Sequence, residues 1–151
     1  MNMTTKSKWI GGTAAALILL SLGAVAVAEG DAIKTRQQAM KDNGAAMKAI
    51  KAVIEANGAA ADVVAPAQKI AANGAMIPDL FPQGSDQGDT AAKPEIWQNW
   101  DDFKSKADSL KMEADMLVSA AQSGDLATVK AQFEKVGAAC GGCHKVYKVA
   151  K

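Results

Sequence analysis

One histidine and two cysteines are present in 151 residues. So few exclude a disulfide-dense scaffold, a zinc finger built on two histidines, and any site that needs two imidazoles from one chain. Excess charge of one sign is also missing, since 17 lysines and arginines face 16 aspartates and glutamates. Nucleic-acid binding shows as an excess or a stripe of positive charge, and finds no support in that balance. The length suits a single domain.

Charge disappears altogether from Ile10 to Ala28, a run preceded by Lys6 and Lys8 and containing AAALILLSLGAVAVA. Ala26-Val27-Ala28 puts small residues where a signal peptidase cuts, with Ala24-Val25-Ala26 as an alternative end. Gly11, Gly12, Ser21 and Gly23 interrupt the run, and a spanning helix needs roughly 20 apolar residues. A cleaved secretory signal over residues 1–28 is therefore favoured over a retained anchor. Its loss from a chain of 151 leaves 123 residues, with 15 bases against 16 acids once Lys6 and Lys8 are gone. Export would put Cys140 and Cys143 in an oxidising compartment. A disulfide between residues so close in sequence, however, closes too small a loop to constrain much of the unfolded chain.

The remainder reads as four amphipathic helices. In the first, Asp31 to Glu55, Ile33, Arg36, Met40, Met47, Ile50, Val53 and Ile54 recur at helical spacing. Gly44 is expected to permit close helix approach, and Asn57-Gly58 is a stop signal because both residues tolerate the left-handed conformation. The second, Ala60 to Ala75, carries Pro66, so it either starts near Ala65 or kinks. A crossover rich in glycine, proline and short polar residues follows to Lys93, and Leu80 and Phe81 are its candidates for packing onto the bundle. The third helix is expected to run unbroken from Pro94 to about Gln122, along the stripe Ile96, Trp97, Trp100, Phe103, Ala107, Leu110, Ala114, Leu117 and Ala121. Asp125 then caps a last helix with Leu126, Val129, Phe133, Val136, Cys140, Cys143, His144 and Tyr147 on one side. Two short turns and one long crossover make this an all-α antiparallel four-helix bundle, with no sheet and no second domain.

Cys140-Gly141-Gly142-Cys143-His144 is the most specific segment, and C-x-x-C-H reads as a c-type haem attachment. Residues three and four apart share a helix face, so two thioether links and a proximal imidazole project to one side. Thiol chemistry of the thioredoxin kind wants the motif after a strand, and a zinc site would lack its second half. A surface disulfide leaves His144 without a role.

With one histidine, the soft donor left for a second axial position is methionine. Met40, Met47, Met76, Met112 and Met116 survive loss of the leader. In an antiparallel bundle the start of helix one and the end of helix four share an end, so Met40 is favoured. Met47 lies roughly 10 Å deeper, and Met112 and Met116 are far along helix three. Met76 and an iron without a second protein ligand stay open, and gap-filling competes at every methionine. Arg36, one turn before Met40, has two even readings: a hydrogen bond to a haem propionate, or a solvated salt bridge. Trp97, Trp100 and Phe133 are expected to cover the haem or the adjoining core, Tyr147 to close the proximal side, and Lys145 and Lys148 to sit on a solvated rim.

These segments together resemble the class II c-type cytochromes, the cytochrome c-prime family, over nearly all of residues 31–151. CGGCHKVYK carries the resemblance near the chain end, RQQAM resembles the family's distal segment, and LFPQGS with PEIWQNWDDFK resembles its crossover and third helix. The resemblance implies thioether attachment at Cys140 and Cys143 and proximal iron ligation by His144. It further implies a distal arginine at Arg36, and an axial Met40 as in the low-spin branch. Lys148 stands where many members have arginine, which keeps the charge and loses the bidentate fork. A periplasmic location is implied too, in agreement with the leading segment.

The expected function is reversible one-electron transfer through one covalently attached haem c per chain, with no substrate bond made or broken and hence no enzyme. The alternatives are a high-spin, five-coordinate cytochrome that binds nitric oxide or carbon monoxide, and a helical interaction protein with a structural disulfide. Periplasmic or membrane-associated redox proteins and the haem-attachment machinery are the expected partners. A homodimer stays open.

Overall fold

The computed structural model describes residues 21–150, with side-chain environments from residue 31. Most of the expected signal sequence, residues 1–20, lies outside the described residues. Helix α1 covers Ser21–Glu55, so it begins upstream of the expected Asp31, in a stretch of alanine, leucine and valine that includes good helix formers. A 3-10 turn at Ala60–Val63 leads into α2, Val64–Met76. Pro66 therefore falls in the first turn of α2, where its missing N–H costs nothing. A second 3-10 turn, Pro78–Leu80, opens the crossover. One-turn α3 (Glu95–Gln98), then α4 (Trp100–Gln122) and α5 (Leu126–Tyr147), complete the chain. No described helix is long and apolar enough to cross a membrane.

Local signals set most of these ends. Asn57 adopts φ 48°, while its N–H bonds to Ile54 O at 3.2 Å and Gly58 N–H to Val53 O at 2.9 Å. These two bonds form a Schellman closure of α1, with asparagine rather than glycine in the left-handed position. Asp125 Oδ1 accepts from Ala127 N–H at 2.9 Å and caps α5.

Two expectations are corrected. The third helix is not continuous, because Asn99 leaves helical geometry at φ −123°, ψ 48°. Its side-chain amide and its own N–H both bond to Glu95 O, at 3.1 and 2.9 Å, a local competition for the backbone that asparagine favours. Nor does Gly44 mediate a helix contact, since a Cβ built there meets nothing within 4 Å. Close approach occurs instead at Gly74, where a Cβ would lie 3.1 Å from Lys111 N and 3.2 Å from its Cα.

The four long helices form a four-helix bundle in which α4 packs extensively on α2 and α5, and α1 packs on α2. Contact between α1 and α5 is sparse. Ile50 of α1, Val63 of the 3-10 turn before α2, Leu117 of α4 and Val129 of α5 are fully buried at the end where α1 finishes and α5 starts. Each such side chain contributes roughly 1.5–3 kcal/mol of burial. That end is filled by apolar side chains. The opposite end, where α1 and α5 part, contains the cavity described next.

Candidate haem site

Between α1 and α5 lies a cavity of about 810 Å³, within the roughly 300–1,000 Å³ typical of small-molecule and cofactor sites. From α1 it is lined by Arg36, Met40 and Met47, and from α5 by Cys140, Cys143, His144 and Tyr147. Phe81 of the crossover and Phe103 and Leu110 of α4 supply apolar wall. All five candidate site residues of the sequence, Cys140, Cys143, His144, Arg36 and Met40, thus border one space. Met76, Met112 and Met116 do not, and are exposed by 45%, 53% and 46%.

On the proximal side, Cys140 and Cys143 are free and half-buried. Burial pushes the Cys140 thiol up and the Cys143 thiol up to about 11, the latter against a downward pull from the Lys106 ammonium. Both thiols are therefore protonated at neutral pH, which is the reverse of the acidic thiolate that thioredoxin-like chemistry uses. Partial burial, with the Lys148 charge adding to it, lowers the His144 pKa, so the imidazole is neutral and free to act as a ligand. Among the described residues, no cluster of three or more histidine, cysteine, aspartate or glutamate side chains could hold a metal ion directly.

The last turn of α5 is braced from two directions. Tyr147 is 4% exposed and its hydroxyl donates to Asp102 Oδ2 at 2.5 Å. Beyond it, Lys93 N–H bonds to Tyr147 O at 3.0 Å and Val149 N–H to Ala91 O at 2.8 Å, around an isolated antiparallel bridge between Ala92 and Lys148. The crossover is thereby tied to the chain end. Lys148 borders the cavity and is exposed.

The distal side departs from one reading of Arg36. A solvated salt bridge is excluded, for the residue is only 3% exposed and its partners are two hydroxyls and two carbonyls of the crossover. Burial lowers its pKa, and Asp86 acts in the opposite direction. The aromatic expectations also sharpen. Trp97 donates from Nε1 to Phe81 O at 3.0 Å and Pro82 O at 3.1 Å, and Trp100 stacks on Phe103 at 5.5 Å. Trp97, Trp100 and Phe133 pack against the core, whereas Phe81 and Phe103 face the cavity. The apolar stripe contained Phe103, but nothing local to it distinguished wall from core.

The donor set suits a c-type haem: two thiols and a neutral imidazole on one wall, a thioether on the other, aromatic and aliphatic surface between them. Comparison with known proteins points the same way. The Cytochrome C' family model matches residues 31–148. A cytochrome c-556 of Agrobacterium tumefaciens is 40% identical over 121 residues, covering 79% of this chain and 98% of that one. The crystal structure of cytochrome c' from Thermochromatium tepidum superposes with a TM-score of 0.77 at 35% identity, covering 81% of this chain and 97% of that one. A nitric oxide complex of an L16A mutant of cytochrome c' from Alcaligenes xylosoxidans gives 0.74 at 30% identity, with 82% and 97% covered. Membership of that family carries with it a covalently bound haem c, and the chain belongs to the cytochrome c' family.

Proposed function

We propose that this chain is a periplasmic carrier of single electrons, with one haem c attached through Cys140 and Cys143 and held between His144 and Met40. The observation that carries the reading is the convergence of both cysteines, the sole histidine and Met40 on one cavity, with Met76, Met112 and Met116 outside it and Met47, which also lines it, two turns further along α1. When bound, the haem supplies the Fe(III)/Fe(II) couple. The residues do the rest. Cys140 and Cys143, on one face of α5, would tether the group, and the neutral His144 imidazole beside them would offer its lone pair to the iron. The Met40 thioether, on the α1 wall, would supply a second, soft ligand of the kind that raises the reduction potential and keeps external molecules out. Phe81, Phe103 and Leu110 exclude water, which lowers the local dielectric and reduces the solvent rearrangement that accompanies a change of charge.

No substrate bond is broken in this scheme, so the protein is not an enzyme under it. Export with loss of residues 1–28 belongs to the same reading and is supported by the pattern of the leading segment. Its partners are then redox proteins of the periplasm or membrane surface. A second reading, binding of nitric oxide or carbon monoxide at an iron that Met40 leaves open, draws on the nitric oxide complex of the similar Alcaligenes protein.

Haem staining of the denatured protein tests covalent attachment, and near-infrared magnetic circular dichroism of the ferric protein tests the distal ligand. A sulfur-to-iron band that disappears in Met40→Ala supports the carrier. A high-spin spectrum that is the same in wild type and Met40→Ala would overturn the ligation in favour of the gas-binding reading.

A further inference from the structure

Arg36 is the one charged residue among the buried polar side chains of the described chain. Burying a guanidinium without a carboxylate is costly unless its donors are satisfied, and here those of both terminal nitrogens are. One terminal nitrogen donates to Ser85 Oγ at 2.7 Å and Leu80 O at 3.4 Å. The other donates to Ser85 O at 2.5 Å and Thr90 Oγ1 at 2.7 Å. The Phe81 ring lies under the same group, 4.6 Å from Cζ to the ring centroid. Both terminal nitrogens are thus fully engaged, and only Nε–H is left over.

The partners are built to receive it. Ser85 is fully buried and donates onward from Oγ to Pro82 O at 2.8 Å, and Thr90 Oγ1 accepts from Ala92 N–H at 3.1 Å. On the next residue of α1, Gln37 Nε2 adds a bond to Asp89 O at 2.7 Å. The chain from Leu80 to Ala92 is therefore fastened to α1 immediately before Met40. That same stretch supplies Phe81, Asp89, Thr90, Ala91 and Ala92 to the cavity wall.

We infer that Arg36 is a positioning residue, which locks the crossover onto α1 and so holds the distal wall, Met40 included, closed over the cavity. It acts through that wall. The effect on ligation rests on Met40 being the distal ligand. The clamp itself does not.

The test uses the holoprotein and four variants: Arg36→Lys, Ser85→Ala, Thr90→Val, and Arg36→Lys with Ser85→Ala. Amide hydrogen exchange over residues 80–92, carbon monoxide association with the ferrous protein, and the pH profile of the reduction potential are measured for each. Loss of one charge-assisted bond should speed exchange across 80–92 by roughly tenfold or more. Carbon monoxide association should rise in parallel, and the pH profile should keep its shape. Arg36→Lys and Ser85→Ala act on one network, so combining them should cost less than the sum of the two. If Arg36→Lys displaces the acidic step of the potential while Ser85→Ala and Thr90→Val leave exchange and gas binding untouched, Arg36 is a propionate anchor and the clamp is wrong. Absence of a sulfur-to-iron band in the wild type would overturn the ligation reading alone, since the exchange comparison still decides the clamp. Should Arg36→Lys fail to fold, Ser85→Ala and Thr90→Val, which leave the cation in place, carry the same decision.

Discussion

Tyr147 donates its buried hydroxyl to the Asp102 carboxylate at 2.5 Å, joining the last turn of α5 to the first turn of α4. The ring also meets Phe103 edge-on at 5.4 Å. Cys143 and His144 sit one turn earlier on α5, so this contact fixes the wall that carries them. Tyr147→Phe keeps the ring and removes the bond. Asp102 is 55% exposed and can recover water, so the loss should be about 1 kcal/mol of unfolding free energy at pH 7, at the low end for a bond to a charged group. Burial and the Asp102 bond push the phenol up to about 12, against an ordinary value of 10.0. A raised folded-state pKa means that the stabilisation is complete below the unfolded value and fades as pH rises through the folded one. Urea titrations of wild type and Tyr147→Phe should therefore differ by a constant amount up to about pH 9 and converge between pH 10 and 12. A gap that persists at the alkaline end would show that the hydroxyl contributes nothing through its proton.

Gly74 and Lys111 bring the backbones of α2 and α4 together without an intervening side chain. A methyl group at Gly74 would stand 3.1 Å from a backbone nitrogen that belongs to the other helix and cannot rotate away. Gly74→Ala gains helix propensity worth roughly 1 kcal/mol, but overpacking costs about 1–3 kcal/mol, so net destabilisation is expected. The urea midpoint should fall with the slope unchanged. A midpoint at or above the wild-type value would show that the helices part at no cost.

Sequence patterning reached the parts of this fold that are settled within a few residues. The stripe positions, the Asp125 cap, the Asn57-Gly58 stop and the shared face of Cys140, Cys143 and His144 depend on neighbours one turn away. That Met40 borders the same cavity as His144 needed only helix order. Beyond that range the signal gave out. Ser85 and Thr90, the receivers of Arg36, are 49 and 54 residues from it, in a loop with no periodicity to place them. Gly44 and Gly74 look alike locally, yet only the second faces another backbone. Asn99 was hidden inside a stripe that continues on both sides of it, because a one-residue break leaves the apolar period almost intact.

Methionine exposure yields a separate check on the cavity. Met76, Met112 and Met116 stand about half in solvent, whereas Met40 and Met47 are only partly accessible and line the cavity. Limited treatment with hydrogen peroxide should therefore convert the first three to sulfoxides well before the other two, as read by peptide mass mapping. Iron coordination would slow Met40 further. Early oxidation of Met40 would place it on the surface and remove it from the distal wall.

Asn73 and Asn43 form a side-chain hydrogen bond that links α2 to the cavity-facing side of α1. Asn73 Nδ2 donates to Asn43 Oδ1 at 2.8 Å and to Ala39 O at 3.3 Å, with both asparagines nearly inaccessible. Ala39 precedes Met40, and Asn43 itself borders the cavity. Asn73→Ala leaves the Asn43 oxygen buried without its donor, which should cost roughly 1–3 kcal/mol. Asn43→Ala should cost less, because Asn73 keeps the Ala39 carbonyl. With both residues replaced, the orphaned acceptor is gone, and the loss should be smaller than the sum of the single losses. A urea-unfolding cycle of the four proteins measures the coupling. Strict additivity would mean that the 2.8 Å bond contributes no stability of its own, and that α2 locates the distal helix by packing alone.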